Sequence, residues 1–345
     1  MNIKIDLGED RSYNITIDSL PKIELNKKVA IITNPKVAGL HLETLLKKLR
    51  AKEIYIITVN DGEEYKKLST IEHITDSALN HRLDRNSAFI ALGGGVIGDM
   101  TGFVAGIYQR GVEFIQIPTT LLSMVDASVG GKTGVNTRFG KNLIGLFNQP
   151  SAVYIDTEFL STLPKREFSA GVAEIIKMAV TFDEEFFGFL EKNSLYEEAV
   201  LKYAIKRCVE LKAKVVSEDE RERGSRALLN YGHTFGHVIE NLTSYKTYLH
   251  GEAVSIGIVM ANELSNKLGL MSENEAKRVF NLLQKYDLPT DFTVSSVEEF
   301  YDKFFLDKNS MDNNISFILP KKLGSATILS SVDRATIIKT LEQFT

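Results

Sequence analysis

Glu174 and Lys177 stand where a helix should be apolar. They interrupt the run AGVAEIIKMAV (170–180), three residues apart and therefore on one side of a helix. Lys212 intrudes in the same way on a face formed by Leu201, Ala204, Ile205, Cys208 and Val215. Lysine and glutamate are almost never fully buried unless paired. A single lysine could snorkel its amine out to water, but three such residues in one region point to a buried polar site. Three of the chain's six histidines, His233, His237 and His250, lie in LLNYGHTFGHVIENLTSYKTYLHGEAV (228–254). His233 and His237 are four apart and face the same way on a helix. Two imidazoles and a carboxylate such as Glu174 make a divalent-metal site with one position open for substrate, as in catalytic zinc centres. The base of a zinc protease is missing, because Thr234 occupies the glutamate position of H-E-x-x-H. Spacing leaves open which two histidines bind.

A second concentration of chemistry lies between residues 91 and 148. It contains twelve of the 24 glycines, from Gly93 to Gly145, beside Asp99, Arg110, Asp126, Lys132 and Lys141. Glycine weakens strands and helices, and is favoured where backbone takes a positive φ or comes close to a ligand. A buried strand at 87–92 (SAFIAL) leads into Gly93, Gly95 and Gly98, which fit G-x-G-x-x-G, and a helix at 96–108 follows. In this setting backbone N–H groups and a helix N-terminus can hold a pyrophosphate. The acidic residue expected about twenty positions on, where it would bind a ribose, is missing. Asp99 follows the turn at once instead. The pattern predicts dinucleotide binding with altered details. Gly131-Lys132-Thr133 does not end a P-loop, since G-x-x-x-x-G-K-T needs glycine where Asp126 stands. Lys132 is expected as a basic group in a glycine loop.

The elements that must position these groups fall into two regions. Residues 2–7 and 12–17 alternate apolar and polar, as an antiparallel pair would. Strands are expected at 29–33, 54–59, 87–92, 114–117 and 152–155, with helices at 41–50, 65–81 and 96–108 between them. Such alternation implies right-handed crossovers and a mostly parallel sheet. Ligands then bind beyond the carboxyl ends of the strands, where Asn34, the GEEYK run (62–66) and Gly93–Gly95 fall. Beyond about residue 160 helices dominate, at 167–180, 195–216, 233–242, 253–268 and 273–286, with short strands at 315–319 and 326–329.

A chain of 345 residues favours two domains. The formal net charge of −4, without a long basic run, argues against a nucleic-acid partner. A single cysteine, Cys208, excludes an internal disulfide framework and fits a reducing cytoplasm. The opening MNIKIDLGED has no apolar signal core, and no apolar run approaches membrane-spanning length. A soluble cytoplasmic enzyme is expected.

The chain closely resembles the 3-dehydroquinate synthase family in GGGVIGDMTGFVAGIYQRGV, IPTTLLSMVDASVGGKTGVN, GKNLIG, FLSTLPKREFSAGVAEIIK, ERGSRALLNYGHTFGHVIE and HGEAV. The match keeps register from about Gly62 to Gly257. It implies an α/β plus α fold, with an N-terminal Rossmann-like NAD-binding α/β domain (1–158) and a mainly helical C-terminal domain that binds metal and substrate (159–345). It also implies a phosphate lyase of the shikimate pathway, converting 3-deoxy-D-arabino-heptulosonate 7-phosphate to 3-dehydroquinate and phosphate with NAD+ and one zinc or cobalt ion.

By position, the resemblance makes Glu174, His233 and His250 the metal ligands and turns His237 towards the substrate. Lys132, Asn142, Lys177, Lys212, Arg226 and Asn230 match the substrate and catalytic set. Arg110 matches an arginine lent to the neighbouring subunit, which implies a homodimer. Asn34, Glu63, Lys66, Gly94, Gly95, Val96 and Asp99 match NAD-binding positions. So do Thr119, Thr120, Asp126, Lys132, Lys141, Phe159, Thr162, Leu163 and Glu167. The family's late Asp-Lys-Lys is here Asp307-Lys308-Asn309, with Lys308 as the expected phosphate clamp.

Two other enzymes share this fold: a different sugar-phosphate cyclase, and a metal-dependent polyol dehydrogenase. Arg110, Lys177, Lys212 and Arg226 speak against the dehydrogenase, because a neutral polyol needs no anion cradle. A non-catalytic NAD-binding module would not need the metal triad.

Overall fold

Apolar and β-branched residues run unbroken through 29–33, the second half of β3 (Ile23–Thr33), and through 88–92 of β5 (Ala88–Gly93), and all of these residues are buried. Strands buried on both faces belong inside a parallel sheet. The computed structural model, which describes residues 1–9, 11–306, 310–311 and 314–345, places them there. With β1 (Asn2–Ile5), β2 (Tyr13–Ile17), β4 (Leu49–Thr58), β6 (Glu113–Pro118) and β9 (Ala152–Ile155), they form a seven-stranded sheet of order β1-β2-β9-β6-β5-β3-β4. Only the β1–β2 pair is antiparallel. After β3 the chain adds β4 on one side, then recrosses to place β5 on the other. The strand order therefore switches between β3 and β5, and a crevice opens at their carboxyl ends. Thr33, Asn34 and Gly93 lie at that end.

Helix α1 (35–48) starts earlier than the apolar pattern predicts. Asn34 caps it by accepting a hydrogen bond from Val37 N, with Pro35 in the first turn. It also ends earlier, because Leu49 and Arg50 already pair with Ile23 and Glu24 as the start of β4. Helices α2 (Leu68–Asn80) and α3 (Gly95–Ile107) bury Ile71, Ile74, Met100 and Val104 against Ile32, Phe89 and Ala91. The glycine-rich segment after them holds a correction. Lys132 is not in a loop: it opens β7 (Lys132–Thr137), which pairs antiparallel with β8 (Gly140–Phe147). Gly134 faces Gly145 so closely that an added Cβ on either would lie 2.6 or 2.3 Å from a carbonyl oxygen across the hairpin.

The helical region contains α4 (Lys165–Phe182), α5 (Glu184–Lys192), α6 (Glu198–Glu218), α7 (His233–Leu242), α8 (His250–Lys267), α9 (Glu273–Gln284), α10 (Val297–Lys303) and α11 (Arg334–Leu341). A strand pair, Phe317–Lys322 with Ser325–Leu329, completes it. Contacts divide the chain into two compact units, Met1–Pro164 with Lys212–Arg221, and Lys165–Leu211 with Glu222–Thr345. Residues 159–164 and 212–221, expected in the helical domain, thus group with the sheet. Lys212 binds Asp126, and Glu220 binds Arg11 and Gln149. Among the described residues no helix is long and apolar enough to cross a membrane.

Candidate active site

In the helical unit, backbone packing decides which polar side chains meet. Gly257 of α8 touches the turn before α7, where an added Cβ would lie 2.0 Å from Gly232 O. Gly251, beside His250, lies against α4, where a Cβ would come within 1.9 Å of Ala170 O. These two approaches bring His233, His250 and Glu174 together. His233 Nε2 is 3.6 Å and His250 Nε2 3.8 Å from Glu174 Oε1. One ligand atom from each of the three residues lies within 4.8 Å of the others. Two ligands about 2.1 Å from a tetrahedral ion would be roughly 3.4 Å apart, so a divalent cation fits after small shifts.

The electrostatics also ask for a cation. Glu174 is 1% exposed, and among the described residues neither of its carboxylate oxygens accepts an aligned hydrogen bond. Lys177, equally buried, forms an ion pair with Oε2. His233 Nδ1 lies 3.2 Å from Tyr231 O, which can only accept, so Nδ1 carries the hydrogen and Nε2 presents a lone pair. Burial, and then the charges of Lys177, His250 and His237, hold the His233 imidazole well below its ordinary value. It stays neutral, as a metal ligand must. His237 is a neighbour of the group: its ring centroid is 5.4 Å from that of His233 and 6.3 Å from that of His250. Arg226 (1% exposed) and Asn230 lie on the adjoining 3-10 segment Ser225–Asn230, where Asn230 Nδ2 donates to Glu222 Oε1 at 2.9 Å.

The sheet unit carries a different centre. Lys66 Nζ donates to Asp99 Oδ2 and Asn142 Oδ1, each at 2.5 Å. Asn142 N donates to Asn136 Oδ1 at 3.0 Å, and Asn136 Nδ2 donates to Glu63 Oε1 at 2.8 Å. Burial alone would lower the Lys66 ammonium, but Asp99 and Glu63 outweigh it, so the group is raised and stays charged. Burial raises Asp99, offset only in part by Lys66. Gly94, Gly95 and Val96 form the turn from β5 into α3, and Thr119 N donates to Gly93 O at 3.0 Å. Thr120 packs on Gly94, and Asn34 donates to Asp61 at 2.9 Å. Lys212 Nζ donates to Asp126 Oδ1 at 2.7 Å.

The remaining expected residues are more scattered. Lys132 and Lys141 lie on the β7–β8 hairpin. Phe159, Thr162 and Leu163 follow β9, and Glu167 is exposed on α4 of the helical unit. Arg110 is exposed on the turn after α3, and Lys308 lies outside the described residues. Sequence reasoning missed His41, which bonds Thr162 Oγ1 at 2.9 Å. It also missed Arg166, which grips Glu252 through two hydrogen bonds of 2.6 Å, and the buried Glu240. Glu252 could have been found, because a glutamate three residues after a helix-capping position is a common start signal. It accepts from Leu249 N at 2.8 Å and so fixes the start of α8.

Two family models match in succession: the N-terminal model of 3-dehydroquinate synthase over residues 56–170, and its C-terminal model over 171–310. The chain belongs to the 3-dehydroquinate synthase family. A 3-dehydroquinate synthase from a Nitratiruptor species is 62% identical over 346 aligned residues, covering 100% of this chain and 99% of the relative. Another, from a Sulfurovum species, is 60% identical over the same shares. Among solved structures, 2-epi-5-epi-valiolone synthase from Streptomyces hygroscopicus subsp. jinggangensis 5008, with NAD+ and Zn2+ bound, superposes with a TM-score of 0.88. It is 27% identical, over 99% of this chain and 98% of that one. A 2-deoxy-scyllo-inosose synthase complexed with carbaglucose-6-phosphate, NAD+ and Co2+ gives the same TM-score and identity over 100% of both chains. The boundary between the two 3-dehydroquinate synthase models, after residue 170, falls inside α4.

Proposed function

We propose that this chain converts 3-deoxy-D-arabino-heptulosonate 7-phosphate to 3-dehydroquinate and phosphate. The observation that carries this reading is the group Glu174, His233 and His250 beside buried Lys177, in a chain that aligns along its whole length with 3-dehydroquinate synthases. The expected course is transient oxidation at C5, phosphate elimination, re-reduction and intramolecular aldol closure, with no net redox change. Glu174, His233 and His250 would hold a zinc or cobalt ion. The Gly94–Gly95–Val96 turn would hold the NAD+ pyrophosphate at the start of α3, with Asn34, Lys66, Asp99 and Thr119 around it. When bound, the dinucleotide supplies reversible hydride storage and the ion a Lewis acid.

The chain's own residues bind and orient the substrate. Its carboxylate and phosphate need several charge-assisted donors. Lys177 is a buried cation beside a ligand carboxylate, and Arg226 offers a planar guanidinium from a buried segment. Lys132, Asn142, Lys212 and Asn230 add donors. His237, next to His233 but outside the three-residue group, would hold or move a proton on the substrate. Relatives at 54–62% identity, against 27% for the two other cyclases, favour dehydroquinate as the product.

Phosphate release from the heptulosonate phosphate, dependent on NAD+ and on Zn2+ or Co2+, is the expected result. Oxidation of glycerol without phosphate release would overturn the reading. His250→Ala should lose bound metal, and His237→Ala should keep it yet lose most activity. Equal metal loss in both would reassign the ligands.

A homodimer in the cytoplasm completes the proposal. Arg110 is exposed at φ 70°, and Phe139, Leu143 and Phe147 are exposed on the β7–β8 hairpin, in keeping with a surface covered by a second copy. If Arg110 serves the partner's site, mixing inactive Arg110→Ala with inactive Lys177→Ala should restore activity in mixed dimers. Confirmed subunit exchange without recovery would sink that role.

A further inference from the structure

Glu240 belongs to none of the roles above, yet it is one of the most buried carboxylates in the chain, at 2% exposure. It stands in the last turn of α7, seven residues after His233. Seven residues are almost two full turns, so both side chains leave the same face of the helix. Its Oε1 lies 3.3 Å from Nδ1 of His250, whose Nε2 faces Glu174 Oε1. We propose that Glu240 is a positioning residue for His250: its carboxylate holds the hydrogen on Nδ1 and orients the ring, so that the Nε2 lone pair points to the metal.

The reasons are geometric and chemical. A neutral imidazole carries one hydrogen, and the acceptor beside one nitrogen decides where it sits. An ionised carboxylate can only accept, so it selects the Nδ1–H form. His233 has the equivalent arrangement, with Tyr231 O beside Nδ1. His250 starts α8 and is one-third exposed, so its ring is less confined by packing than that of His233, at one-tenth. The ligand with less packing around it is the one given a charged buttress. Helix α7 thus supplies one metal ligand and orients the other.

The inference rests on the metal site proposed above, and Co2+ binding to the apo full-length chain tests both. The readouts are the visible cobalt spectrum, cobalt affinity by chelator competition, and the melting temperature without metal. Wild-type protein should bind one cobalt, and Glu174→Gln should lose it. Glu240→Ala should bind cobalt about 10–100-fold more weakly with an altered spectrum, and Glu240→Gln, which keeps an acceptor, should fall between. Failure of wild-type protein to bind cobalt would overturn the metal site and this role together. Normal wild-type binding with an unchanged affinity and spectrum in folded Glu240→Gln and Glu240→Ala would overturn the role alone.

Discussion

Around Lys66 the charges answer one another, whereas around Glu174 acceptors face acceptors. Lys66 sits between Asp99 and Asn142, and Asn136 and Glu63 extend the network. That centre is complete as it stands, and a dinucleotide would dock onto a set of groups already held in place. Around Glu174, two imidazole lone pairs and a carboxylate converge on one point, with Lys177 as the neighbouring cation. Such a cluster gains most from a cation among its acceptors. The contrast teaches that buried charge can be arranged for rigidity in one region and for ligand demand in another, using the same residue types.

Removing charge should separate the two. Glu174→Gln removes the carboxylate charge that faces buried Lys177, and breaking a buried pair from one side costs about 3–5 kcal/mol. We expect a large fall in melting temperature together with loss of bound metal and activity. Adding Lys177→Met should recover stability but not metal. If the double variant melts no higher than the single, the pair is not the source of the loss.

Lys66→Met should cost less, about 1.5–3 kcal/mol, the scale of hydrogen bonds to charged groups. Asp99 is already raised by burial and can take up a proton, so no bare charge need stay buried. NAD+ affinity should fall while cobalt binding stays normal. A variant that loses cobalt as readily as NAD+ would erase the distinction between the centres.

The smallest effect concerns His41, which burial holds below its ordinary value of 6.5. The unfolded chain then binds the extra proton more readily than the folded one. The stabilising effect of keeping His41 neutral is complete above 6.5 and fades as pH falls through the lowered folded value. The melting temperature of wild-type protein should therefore drop more steeply than that of His41→Gln between about pH 7 and pH 5. Parallel curves would remove His41 from the account.

Much of this was legible in residue order. The apolar runs at 29–33 in β3 and 88–92 in β5 read as inner strands of a parallel sheet, and the glycine turn at 93–95 follows where such folds bind ligands. Glu174 and Lys177 betrayed themselves as charges within an apolar helical run. The β7–β8 hairpin did not, because its glycines obscure strand propensity and only their close pairing makes sense of them. Helices α5, α10 and α11 also went unread, although Asp183, Ser296 and Asp333 cap their starts.

Residue order alone settles the fold class, the family and the stock of chemical groups, since these follow from periodicity, motif spacing and residue type. Which groups meet is decided in three dimensions. Spacing along the chain left three histidines equivalent, and favoured the pair four residues apart as readily as any other. The contacts of Gly251 with Ala170 and of Gly257 with Gly232 place His250, seventeen positions from His233, beside Glu174. Helix packing at glycine distance, a long-range property, sets the partners that local periodicity cannot see.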